Sequence, residues 1–164
     1  SKEELIHIIS RIREEIPDIT LRTTLITGFP GESKEQHEEL MDFVDEMAFD
    51  RLGVFTYSAE DGTPAAQMPD QVEESVKEAR RAELMELQQE IAFDQAEQMI
   101  GREVLVMIEG KVADENAYVG RTYKDAPNVD GLIFVNTDTE LLSGDFAKVR
   151  VTGACEYDLI GELM

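Results

Sequence analysis

The apolar pattern of this chain changes period at Gly101. Before it, apolar residues recur three and four positions apart, interrupted by two short strand-like runs. After it come five short runs of strand-forming residues, separated by Gly, Asp and Asn. A helical period and a strand period are not satisfied by one repeating element, so the chain reads as two architectures that meet near that glycine. Its 164 residues suffice for one ordinary domain or two small ones, each with a modest core.

In the first architecture, Leu5, Ile8, Ile9, Ile12 and Ile16 fall on one face of a helix over 1–16. Ser1 and Glu4 are spaced as a capping box, and Pro17 stops the helix. Residues 19–27 read as a strand weighted by Leu21, Leu25 and Ile26. Ser33, with Gln36 three residues on, caps a second helix whose inner stripe is Leu40, Phe43, Val44 and Met47. Residues 51–57 form a second strand and run into a Gly- and Pro-containing loop at 58–66. A helix crossing between neighbouring strands requires them to be parallel. Two strands do not make a parallel sheet with both faces covered, so further strands upstream of this sequence are expected. Residues 71–100 follow as one long helix, with Val72, Val76, Leu84, Leu87 and Ile91 on a shared face and Gly101 as its stop. The runs at 103–109, 117–119, 131–135, 146–151 and 157–163 fit a small closed barrel. The expected fold is therefore α/β, a partial parallel barrel of two or three strands with helices, followed by an all-β five-stranded OB-like barrel. The expected boundaries are 1–70, a linking helix at 71–100, and 101–164.

Charge limits the partners. Thirty-six carboxylates face fifteen lysines and arginines, for a formal charge of -21. Residues 1–100 hold 24 acidic against 9 basic side chains, and residues 101–164 hold 12 against 6, so both parts are net negative. Such a surface repels phosphate backbones and attracts basic proteins. A net-negative barrel also lacks the electrostatic funnel of nonspecific strand binders. No apolar run approaches the ~20 residues that span a bilayer, and the polar, acidic start is unlike a secretion signal. A single cysteine forms no internal disulfide, and the simplest compartment is the cytoplasm.

Two stretches stand out as candidate sites. Gly28-Phe29-Pro30-Gly31-Glu32 lies between a strand and a helix, where glycines let a backbone approach a ligand and the amides of the coming helix meet polar or negative atoms. It lacks the Lys-Ser/Thr of a phosphate loop and the dinucleotide glycine spacing. Residues 120–131, Gly-Arg-Thr-Tyr-Lys-Asp-Ala-Pro-Asn-Val-Asp-Gly, gather Arg121, Tyr123, Lys124, Asp125 and Asp130 in a turn-rich connection suited to recognition. Cys155 reads as a small residue in a turn before the last strand. His7 and His37 lie on helices thirty residues apart without cysteine companions, and His37 is expected at a helix surface. No catalytic or metal-ligating set is assigned.

At these two stretches the sequence resembles the carboxy-terminal part of the radical S-adenosylmethionine methylthiotransferases, most closely the branch that modifies ribosomal protein S12. Arg22-Thr23-Thr24 leading into Gly28-Phe29-Pro30-Gly31-Glu32 resembles a late strand of that family's radical barrel. Phe55-Thr56-Tyr57-Ser58 with Gly62-Thr63-Pro64-Ala65 resembles the next strand and its exit loop, and Glu86-Leu87-Gln88-Gln89-Glu90-Ile91 the linking helix. The remainder resembles the appended TRAM barrel. The resemblance implies an enzyme that uses S-adenosylmethionine and two 4Fe-4S clusters to install a methylthio group on the beta carbon of an aspartate in S12. It implies Gly28, Phe29, Pro30, Gly31 and Tyr57 on the cofactor side. It implies substrate recognition by Arg121, Tyr123, Lys124, Asp125 and Asp130.

The Asp125-Ala126-Pro127 and Asp130-Gly131 pairs, and Glu60 where the other branch carries an arginine, favour the S12 branch. The alternatives are the branch that modifies an adenosine in transfer RNA, or an RNA-binding TRAM module with a basic face assembled from Arg102, Lys111, Arg121, Lys124, Lys148 and Arg150. The family's clusters need two sets of three cysteines, and this sequence has Cys155 alone. A segment without bound cofactor and without activity of its own is therefore expected. Its expected partner is S12, alone or in the 30S subunit, rather than nucleic acid or membrane. Self-association through the incomplete barrel is also expected.

Overall fold

The Ser1 side chain accepts the Glu4 amide at 3.3 Å, and the Glu4 carboxylate accepts from the Ser1 amino group. This capping box starts α1, Lys2–Glu15, at its expected place. The structure, a computed structural model, describes residues Ser1–Met164. After α1 come β1 (Arg22–Thr27), α2 (Lys34–Met47), β2 (Arg51–Thr56), a 3₁₀ turn (Ala65–Gln67) and α3 (Glu74–Gln98). A second capping box, Ser33 with Gln36, opens α2, and left-handed Ala48 closes it. Gly101, at φ +87°, follows α3. The chain then forms β3 (Glu103–Lys111), β4 (Ala117–Arg121), β5 (Ile133–Asn136), β6 (Phe146–Cys155) and β7 (Asp158–Leu163). The two compact units are Ser1–Ile91 and Ala92–Met164.

In the first unit β1 and β2 pair in parallel, from Arg22 opposite Arg51 to Thr27 opposite Thr56. Val44, Leu52, Val54 and Leu84 form one core cluster, with Leu25, Leu40 and Leu87 against it. Phe43, Met47 and Phe49 form another, with Ile6, Ile9 and Leu21 against it. The inner stripe of α2 is therefore as the spacing predicts, whereas that of α1 is rotated. Leu5 and Ile8 are 52% and 53% exposed, and Ile6 with Ile9 makes the contact instead. The apolar arc of α1 is wider than the surface it meets, so spacing marks the helix but not the buried edge of its arc. The sheet is covered on one face only. Ile26 and Phe55, opposite each other in register, are 60% and 63% exposed.

In the second unit five strands close a barrel in the order β3-β4-β5-β7-β6. The β5–β7 pair is parallel and the other pairs are antiparallel. Val104, Val106, Ile108, Ile133, Val135, Val149 and Val151 point inward at alternate positions, joined by Tyr118 and by Met99 just beyond α3. Closure leaves no open sheet edge. Cys155 is the last residue of β6, paired with Asp158 and exposed, rather than part of a turn. The strand continues past the apolar run because its hydrogen bonding resumes after the irregularity between Val151 and Gly153. No helix is long and apolar enough to cross a membrane.

Gly161 is required by the barrel's tightness. A Cβ there would stand 2.4 Å from Val149 Cγ1 and 2.9 Å from the Arg150 carbonyl oxygen, whereas one at Gly110 would meet nothing within 4 Å. Gly161→Ala is expected to destabilise the barrel by ~1–3 kcal/mol. Gly110→Ala should stay within about 1 kcal/mol of the parent. Urea unfolding followed through barrel amide resonances checks both.

Candidate functional site

The two parallel strands end at the same edge, and the segments leaving them are drawn together there. Thr27 O accepts the Tyr57 amide at 2.8 Å, so the turn after β1 and the first residue after β2 meet. In open parallel sheets, ligands bind outside the carboxyl ends of the strands, which is this edge. The Glu32 amide donates to Phe29 O at 2.9 Å, closing the turn, and the Gly31 amide donates to Asp70 O at 2.9 Å. The Gly28 amide donates to Glu32 Oε2 at 3.0 Å, and the Thr27 hydroxyl to Glu32 Oε1 at 3.2 Å. At the start of α2 the Ser33 amide donates to Gln36 and the Gln36 amide to Ser33. The amides of Gly28, Gly31, Glu32, Ser33 and Gln36, among those anticipated for a ligand, are thus taken internally. Glu35, in the first turn of α2, has its carboxyl held below the ordinary value of 4.5, first by its own backbone amide and then by the Ser33 side chain. A depressed carboxyl contributes stability above its unfolded pKa and loses it as pH falls through the folded value.

Two cations one turn apart on α3 hold this edge from behind. Arg80 Nη1 donates to Glu32 Oε1 at 2.7 Å and to Glu32 O at 3.0 Å, with side chains 12% and 13% exposed. Lys77 Nζ donates to Tyr57 O at 2.9 Å and pairs with Glu74 at 2.6 Å. The stem of Lys77 fills the space a side chain at position 28 would need, since a Cβ on Gly28 would stand 2.1 Å from Lys77 Cγ. Gly28 is also at φ +77°, so glycine is required there both by conformation and by the helix behind it. Gly31, at φ +83°, meets nothing within 4 Å. On the open side, Phe29 is exposed and sets its ring edge-on to Tyr57, centroids 5.2 Å apart. The Tyr57 hydroxyl is buried without a hydrogen-bond partner.

The second candidate stretch lies in the barrel. Arg121 ends β4 and pairs with Glu109 at 3.4 Å, while its Nη2 lies 3.7 Å from Met107 Sδ. Buried Thr122 donates its hydroxyl to Asp125 at 2.8 Å and accepts the Lys124 amide at 3.2 Å. Asp130 accepts the Ala126 amide at 2.7 Å. Asp125 and Asp130 thus shape the loop as turn-closing acceptors. Tyr123 and Val129, 56% and 70% exposed, are the large apolar side chains it presents outward, with Ala126, Pro127 and Asn128 exposed between them.

Comparison with known proteins agrees with both halves. Residues 100–164 match the TRAM domain model. Over 161 residues, 98% of this chain, the sequence is 61% identical to the ribosomal protein uS12 methylthiotransferase RimO of Lachnoclostridium phytofermentans, covering 37% of that protein. The chain belongs to the RimO family of radical S-adenosylmethionine methylthiotransferases, matching their carboxy-terminal ~36%. It is 48% identical to the protein of the same name from Desulfitobacterium hafniense, over 96% of this chain and 35% of the relative. For that from Pelotomaculum thermopropionicum the identity is 49%, over 99% and 37%. The chain spans little more than a third of the length of the relatives it matches.

Sequence reasoning passed over Lys77 and Arg80, and gave Glu32, though inside the candidate stretch, no role of its own; the three organise the edge. A signal was present, because Lys77 and Arg80 continue the buried stripe of α3 that runs on through Leu84, Gln88 and Ile91. His37 also needs correction. It is 5% exposed, with Nε2 2.7 Å from Glu83 Oε2, rather than at a helix surface. Its place three residues before Leu40 and seven before Val44 puts it on the inner stripe.

Gly31→Ala should cost ~1–2 kcal/mol, the ordinary penalty of a left-handed alanine. Gly28→Ala should cost more, by about 1–3 kcal/mol of overlap with Lys77. Repeating Gly28→Ala in a Lys77→Ala background should remove that excess, read as coupling in a double-mutant cycle. Tyr57→Phe should leave stability within about 1 kcal/mol of the parent or raise it, because the hydroxyl has no partner to lose.

Proposed function

We propose that this chain is the carboxy-terminal part of an enzyme that methylthiolates the beta carbon of an aspartate in ribosomal protein uS12 by radical S-adenosylmethionine chemistry. The observation that carries the reading is the 61% identity over 98% of the chain to a uS12 methylthiotransferase. In this reading residues 1–70 belong to the radical barrel, 71–100 to the linking helix and 101–164 to the TRAM barrel. The exposed Ile26–Phe55 face of the two-stranded sheet supports it, since a parallel sheet is normally covered on both faces.

The implied groups fit these residues unequally. Cluster binding takes several thiolates, and the sequence holds one cysteine, exposed at the end of β6. These residues therefore do not fit a 4Fe-4S cluster, and the segment is inactive on its own. S-adenosylmethionine fits better at the carboxyl edge of β1 and β2, where the exposed Phe29 ring packs edge-on to Tyr57, whose buried hydroxyl has no partner. Bound in the whole enzyme, S-adenosylmethionine would supply the radical on reductive cleavage by an electron from a 4Fe-4S cluster held outside this segment. The chain's own part is to line one side of that cofactor with Gly28, Phe29, Pro30, Gly31 and Tyr57, held in shape by hydrogen bonds that the ligand need not supply.

The barrel is proposed to recognise the substrate through the loop containing Arg121, Tyr123, Lys124, Asp125 and Asp130. A basic protein suits it better than RNA. Its charge is net negative, and two cations of its outer face are already paired, Arg121 with Glu109 and Arg150 with Glu103. The chain is expected to bind isolated uS12 with an affinity that falls as salt rises, and to bind transfer RNA far more weakly at either salt. Titration of both partners at low and at physiological ionic strength tests this. Tight transfer-RNA binding without uS12 binding would sink the proposal in favour of the RNA-binding reading.

A further inference from the structure

We infer that Lys77 and Arg80 are positioning residues for the cofactor-side edge, the helix after the sheet fixing the turn after β1 and the exit of β2. The inference rests on the proposal that this edge lines S-adenosylmethionine, and it adds residues that lie outside both candidate stretches.

The geometry divides the work between the two cations. Arg80 grips the turn after β1 twice, at the carboxylate and at the backbone carbonyl of Glu32. That carboxylate is itself the acceptor of the Gly28 amide and the Thr27 hydroxyl. Without Arg80 it would be a largely buried anion with no cation, and the favourable response is for Glu32 to swing to water and release the Gly28 amide. Lys77 grips the exit of β2 through Tyr57 O, and its stem occupies the space behind Gly28. Its ammonium also lies 5.9 Å from the centroid of the Tyr57 ring. Phe29 and Tyr57, the aromatic pair on the open side, are therefore each fastened to α3 through their own chain segment. Both cations are nearly buried and spent on the turn and the strand exit, so their effect on a bound ligand is exerted through those segments. Both bonds of Arg80 leave the single nitrogen Nη1, so a lysine at 80 supplies the same charge from a shorter side chain and serves these acceptors less closely.

The test has two arms. In the first, amide hydrogen exchange is measured on this chain with Arg80→Met, Arg80→Lys and Lys77→Met. The methionine at 77 keeps the stem against Gly28 while removing the ammonium. Arg80→Met should speed exchange at the Gly28 amide at least about tenfold, with a smaller rise at Gly31, while Val54 and Leu84 keep their protection. Arg80→Lys should recover part of the loss. Lys77→Met should act at the Tyr57 amide. No change at these amides, or an equal rise at Val54 and Leu84, would overturn the positioning role, because the cations would then be inert or merely part of the fold's stability.

In the second arm, the same variants are placed in a full-length methylthiotransferase carrying this segment. The KM for S-adenosylmethionine should rise at least about threefold in Arg80→Met, more than kcat falls, with partial rescue by lysine. Release of the turn with an unchanged KM would overturn the cofactor-side reading on which the inference rests, leaving the exchange result to judge the positioning itself.

Discussion

Two parallel strands cannot be joined by a tight turn, so the chain leaving β1 must climb through α2 before β2 begins. Most of the first unit follows from that requirement. The crossover places Val44 of α2 over Leu52 and Val54 of β2, and it brings both strand ends to one edge. Because the strands point the same way, the turn at 28–32 and the exit at Tyr57 become neighbours although they are far apart in sequence. The price of this arrangement is a set of backbone groups at the edge that no further strand pairing satisfies. Glu32, Arg80 and Lys77 meet that need with charged side chains drawn from the turn itself and from α3.

The second unit solves the opposite problem. Antiparallel strands need only short connections, and closure through the single parallel pair β5–β7 lets a small core of valines and isoleucines suffice. Its interior is apolar and regular, so its individuality lies in the loops. There the Asp125 and Asp130 carboxylates are engaged in holding turns, while Tyr123 and Val129 are the large apolar side chains that face outward. Acidity in this unit thus has two physical roles, one in shaping the loop and one in the negative field of its surface.

Sequence made some of this legible and hid the rest for identifiable reasons. Capping boxes at Ser1 and Ser33, the stripe of α2, parallel pairing of β1 with β2 and the five strands of the barrel all rest on local chemistry or on period, and all are present. The buried side of α1 was not legible, because its apolar arc is wider than its contact. The burial of His37 was hidden by residue type, a polar side chain on an otherwise apolar stripe. The turn at 28–32 was visible as a special segment, but the reason for its first glycine was not. That reason lies at Lys77, nearly fifty residues later, and no spacing within the turn encodes it.

The slot behind Gly28 has a consequence for how the chain divides into exchangeable parts. A position that lacks a side chain and a helix residue whose stem fills the gap behave as lock and key within one molecule. The strand-turn-helix element and the first turns of α3 therefore form a single inheritable piece, though the sequence between them includes a whole strand and a loop. Recombination with a relative would preserve that piece only if the crossover fell before β1 or after Arg80. A junction in the loop at 58–66, where exposure makes one look harmless, would place a turn from one parent against a helix from another.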